Sequence, residues 1–106
     1  MQDVSDNKFI PLKPLKTAVL FLIFNRLDTT KQVFEAIRLA RPPRLYIAAD
    51  GPRDSRPDED KKVKAVRSYV MDHIDWDCEV KTLFREKNLG CKYAVSSAID
   101  WFFDNE

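Results

Sequence analysis

The chain has 106 residues, enough for one compact domain with a hydrophobic core and too few for two. Hydrophobic residues make up 44% and charged residues 33%, a balance that excludes a disordered or collagen-like chain. Lys and Arg number 18 against 17 Asp and Glu, a net charge of +1 with no long basic block, so neither nucleic acid nor a membrane surface is an expected partner.

Residues 1–16 are polar and then punctuated by Pro11 and Pro14, which favours an extended lead-in over a helix. The domain proper is expected over 17–106. Its first element, near 17–24, is the continuous apolar run ending Phe21-Leu22-Ile23-Phe24. Such a run reads as a central strand buried on both faces of a parallel sheet. It is far too short to cross a membrane, and no basic-then-apolar leader precedes it, so the expected compartment is the cytoplasm.

Thr29-Thr30-Lys31-Gln32 reads as a capping box, opening a helix near 29–40 whose apolar positions Val33, Phe34, Ile37 and Ala40 recur at helical spacing. Pro42-Pro43 stops it, and Arg44 to Ala49 forms a second strand near 44–49. After the loop Asp50-Gly51-Pro52-Arg53, Val63, Val66, Val70 and Ile74 mark one face of a helix near 58–74. Alternation of polar and apolar residues predicts an edge strand near 79–84, and Cys91, Val95, Ala98, Ile99 and Phe102 predict a helix near 91–106. The fold class is therefore α/β, a three-layer αβα arrangement on a mainly parallel, Rossmann-like sheet.

In such sheets ligands bind outside the carboxyl ends of the strands, at a point where strand order reverses. Three loops meet there, carrying Asn25 and Arg26, Asp50 and Gly51, and Arg85. With Gly51 and Gly90 as the only glycines, neither a dinucleotide fingerprint nor a P-loop can be built, so a bound diphosphate must be met by side chains or a metal. Asp50 can accept from an imide N–H or a ribose hydroxyl, and it can equally serve the turn it sits in. The planar fork of Arg85 suits phosphate or a base, while Asn25 and Asn88 suit turns when taken singly. Cys78 and Cys91 match no zinc or redox spacing, and His73 falls inside a helix, so no nucleophile, base or metal set is assigned. Asp58-Glu59-Asp60 and Asp72 read as helix caps and solvated faces.

Phe24-Asn25-Arg26 after one strand, Asp50-Gly51-Pro52-Arg53 after the next, and Arg85-Glu86-Lys87-Asn88-Leu89-Gly90 before a helix are together similar to a known family. Over Thr17 to Glu106 the chain resembles the first half of nucleotide-diphospho-sugar transferases of the GT-A fold. The likeness is to bacterial family-two-like glycosyltransferases and relatives of the N-acetylglucosaminyltransferase I type. The resemblance implies a nucleotide-binding domain portion for a sugar-nucleotide donor, UDP-sugar first. Phe24, Asn25 and Arg26 would border the base, Asp50 would contact uracil or ribose, and Arg85 would help close the pocket. Asn88-Leu89-Gly90 matches the Asn-x-Gly that opens the family's helix after the third strand, and Gly51, Asn88 and Gly90 complete the implied nucleotide-binding set. It also implies Mn²⁺ or Mg²⁺ for a full-length enzyme, held by an acidic motif that the family carries on a later strand. On that reading the 106 residues are a truncated, inactive domain whose first strand has an unpaired edge open to self-association. The alternative is a non-enzymatic α/β interaction module using that edge or the Trp101-Phe102-Phe103 face.

Overall fold

The computed structural model describes residues 16–106, and most of the expected lead-in therefore lies outside the described residues. Three strands alternate with three helices: β1 (Val19–Ile23), α1 (Leu27–Ala40), β2 (Arg44–Ala49), α2 (Glu59–His73), β3 (Glu79–Phe84) and α3 (Cys91–Asn105). All strands are parallel in one sheet of order β1-β2-β3. The α/β alternation read from the sequence is thus present. No described helix is long and apolar enough to cross a membrane.

Position within the sheet is where the structure departs from expectation. Among the described strands β2, not β1, is central, with Leu45 through Ala49 all buried, while β1 lies at one edge with Leu22 43% exposed. A continuous apolar run does not distinguish the two positions, because a strand at an edge still packs one face fully. Here Phe21 and Ile23 fill the core and Leu20 and Leu22 lie on the less covered face.

The two faces differ. Phe21 and Ile23 of β1 and Leu45, Ile47 and Ala49 of β2 meet Phe34 of α1 and Val66 and Val70 of α2 in one apolar core. Phe34 is its hub, ringed by Phe21, Tyr69 and Trp76 at centroid distances of 6.4, 6.0 and 6.0 Å. On the opposite face α3 packs on β1 and β2, with Trp101 and Phe102 set edge-on to Tyr46 at 5.2 and 4.8 Å. The Tyr46 hydroxyl donates to Glu106 at 2.6 Å, which pushes its pKa up to about 12, and Arg44 forks onto the same carboxylate.

α1 begins two residues before the expected capping box, with Arg26 as its N-cap and no side-chain cap bond. The Thr29 hydroxyl donates to the Arg26 carbonyl at 3.4 Å instead of accepting, and Thr30 is buried. Leu27, which packs against the core, and Asp28, a negative charge in the first turn, make the earlier start favourable. The helix ends on Arg41 in the left-handed region (φ 50°), its amide donating to Ile37, and the buried Pro42 then accepts from the Trp76 indole at 2.9 Å.

Candidate functional site

Because α1 and α2 cover one face and α3 the other, the loops leaving β1 and β3 diverge to opposite sides of the sheet. That divergence opens a crevice at the carboxyl ends of the strands without any reversal of order among the three described strands. The crevice is a cleft of about 470 Å³, floored by Ile23, Ala49 and Leu83 and walled by the first turns of α1 and α3. Phe24, Asn25, Arg26, Asp50, Arg85, Asn88 and Gly90 all line it. Gly51 does not: it is buried against the next loop, where a Cβ would stand 2.6 Å from backbone atoms of Glu86 and Lys87. Only glycine lets these two loops approach so closely.

Asp50 is the tie between them. Its Oδ1 accepts from the amides of Gly51 (2.9 Å) and Leu89 (2.8 Å), and its Oδ2 from the amide of Gly90 and the side chain of Asn88 (both 3.1 Å). A carboxylate has about four acceptor positions, so these bonds fill it. Asp50 thereby sets the start of α3, where Gly90 takes φ 88°, and a ligand reaching its oxygens has to compete with the loop. Asn88 is likewise engaged, donating to the Gly51 carbonyl at 2.8 Å.

On the opposite shoulder stands a residue of the acidic run expected at helix caps and solvated faces. Glu59 is 5% exposed, and its carboxylate receives the Arg53 amide (2.9 Å), the Arg53 guanidinium (2.8 and 2.6 Å) and the Asn25 side chain (2.9 Å). The Arg53 guanidinium is the main reason its pKa is held at about 2, with the Arg53 amide and Asn25 adding to it. Nothing local in Asp58-Glu59-Asp60 distinguishes the middle residue, since its partner Asn25 is 34 positions away. The Asn25 amide is oriented by this bond, and Arg53 lies over the Phe24 ring at 5.7 Å.

Arg85 enters the cleft from the end of β3, its amide extending the ladder to Ala49 at 2.9 Å. Its guanidinium donates to Ser97 Oγ at 3.1 Å and pairs with no carboxylate among the described residues. Arg26, by contrast, sits at the exposed rim beside Asp28, 3.4 Å away. Cys91 also borders the cleft as a free thiol. The cleft therefore offers an apolar floor, an amide oriented by Glu59, and one cation whose charge no carboxylate among the described residues balances.

No cluster of three or more His, Cys, Asp or Glu groups is present among the described residues. The two carboxylates beside the cleft, Asp50 and Glu59, direct their oxygens at N–H donors, an arrangement that does not fit a metal ion. No family model, curated protein or solved structure matches the chain.

Proposed function

We propose that the cleft binds the nucleoside diphosphate part of a sugar-nucleotide donor, a UDP-sugar first, and that the chain is the nucleotide-binding portion of a glycosyltransferase. The observation that carries this reading is the convergence of the loops after β1, β2 and β3 on one cleft of about 470 Å³ holding Arg85, which pairs with no carboxylate among the described residues. That volume suits a ligand of nucleotide size. Leu22 and Leu83 offer apolar surface for a flat base, and Asn25, oriented by Glu59, can read its edge. Arg85 supplies the positive charge that a diphosphate requires where no glycine-rich turn is available. With no metal fitted by the residues present, no step is routed through one, and the role assigned to this chain is binding.

Titration of uridine and guanosine diphosphates into ¹⁵N-labelled protein tests the reading. Shifts clustered at Asn25, Arg85 and Gly90, stronger for the uridine form, are expected, whereas a spectrum unchanged at millimolar nucleotide would remove it.

A second reading has its own observation. β1 reads Val19-Leu20-Phe21-Leu22-Ile23, an edge strand with none of the charges or prolines that usually blunt an edge. On its α3 side Leu22 is exposed, and Ile99 and Phe103 of α3 are exposed as well. An interaction module pairing through this edge, with a second copy or another chain, is the competing proposal. Sedimentation over a hundredfold range of protein concentration, with Leu22→Lys as control, separates the two: a monomer throughout discards self-pairing.

A further inference from the structure

Arg67 of α2 does not line the cleft, yet it touches both loops that shape it. One nitrogen, Nη2, donates to the carbonyl of Asp50 at 3.0 Å and to the carbonyl of Arg85 at 2.8 Å. These are the residues immediately after β2 and β3, where the last ladder bond, Arg85 N–H to the Ala49 carbonyl, has already been made. Beyond it two carbonyl oxygens would face each other with no donor between them, and the guanidinium supplies the missing rung. Its plane lies over the Phe84 ring at 4.9 Å.

This is an expensive way to fill space. The side chain is half-buried, and its Nε is buried without a hydrogen-bond partner among the described residues. A methionine of similar length would pack there without stranding an N–H. What an apolar residue could not do is hold both carbonyls. Asp50 is also the residue whose carboxylate captures the amides of Leu89 and Gly90, so fixing its main chain fixes the start of α3 in turn.

We propose that Arg67 is the positioning residue of the cleft, joining the ends of β2 and β3 from behind through the carbonyls of Asp50 and Arg85. Its consequence for ligand affinity rests on the nucleotide-binding reading; its effect on the loops does not.

Amide hydrogen exchange on the full chain carrying Arg67→Met or Arg67→Gln tests it, with uridine diphosphate as the ligand probe. A bond to a charged donor is worth enough that exchange at Leu89 and Gly90 should speed up roughly tenfold or more, with α1 amides unchanged. The uridine diphosphate Kd should rise by a similar factor, about tenfold. Wild-type exchange at both amides in either folded variant overturns the proposal. So does equal acceleration across α1 and the loop, because that marks a general loss of stability. Should Arg67→Met not fold, the neutral and more soluble Arg67→Gln decides by the same two amides. If the unsubstituted chain binds no uridine diphosphate, the functional reading falls, and the exchange comparison still decides the role of Arg67.

Discussion

The two faces of the sheet are held by different physics. Under α1 and α2 the contact is almost wholly apolar, with Phe34, Val66 and Val70 at or below 1% exposure and rings packed around Phe34. Under α3 only Ala98 of the helix is fully buried, and much of the attachment is an aromatic contact to Tyr46 finished by a polar tie from Glu106 to Arg44 and Tyr46. Burial that is non-directional gives stability, whereas the more open face leaves room for the cleft that α3 borders. The difference implies that the α1/α2 face should govern folding and that the α3 face should govern what the carboxyl ends of the strands can accommodate.

The harshest test of that division is Phe34→Ala. Removing a ring that contacts Phe21, Tyr69 and Trp76 leaves a cavity where neighbours cannot collapse, and a loss of about 3–5 kcal/mol is expected in chemical denaturation. A loss below about 1 kcal/mol would mean that this face does not dominate. Gly51→Ala should follow, at about 1–3 kcal/mol, since its Cβ meets backbone that has no rotamer to change. Its signature is local: amide shifts concentrated over Glu86 to Gly90, which the Phe34 change should leave less disturbed.

Acid sharpens the comparison where the faces meet. Glu59 is held at about 2 against an ordinary 4.5, chiefly by the Arg53 guanidinium, so the folded state favours its ionised form. Its contribution is complete above the ordinary range and is lost as pH falls from about 4.5 toward 2. The carboxyls of Asp28, Asp75 and Glu106 are lowered too, so the comparison is with Glu59→Gln: that variant should be less stable at pH 7 and fall less steeply on acidification. Parallel melting-temperature profiles for the two proteins would assign the acid sensitivity to the other carboxylates.

Much of the fold was legible because periodicity reports burial on one element at a time. The positions of all three helices and three strands follow from apolar spacing and from the breaks at Pro42-Pro43 and Asp50-Gly51. The apolar run of β1 misled as to its burial, because strand order is set by where helices pack and not by the strand's own residues; its open edge followed only from the resemblance to a cut-off sheet. The convergence of the three loops was readable from topology, and Phe24, Asn25, Arg85 and Gly90 do border one cleft. The occupations were hidden. That the Asp50 oxygens are filled by amides of the following loop, that Glu59 is buried beneath Asn25 and Arg53, and that Arg67 bridges two carbonyls are all pairings across the fold. Side chains of ordinary turn and helix type carry no local mark of such partners.

The smallest expected effect is also the one most able to break the comparison. Phe103 is 68% exposed on α3, touching Phe102 at 5.3 Å, so Phe103→Ser removes little surface that folding had buried. If the α3 face is open in solution, the change should alter stability by no more than about 0.5 kcal/mol, as surface substitutions do. A larger loss that grows with protein concentration would mean that the ring is covered by a second copy, and the open face would then be an interface. If uridine diphosphate binds as proposed, its shifts at Asn25 and Arg85 offer an independent check, because Phe103 lies outside the cleft and should leave them unchanged. An unchanged melting temperature together with unchanged shifts would place folding on the α1/α2 face and binding at the strand ends, with the outer side of α3 contributing to neither.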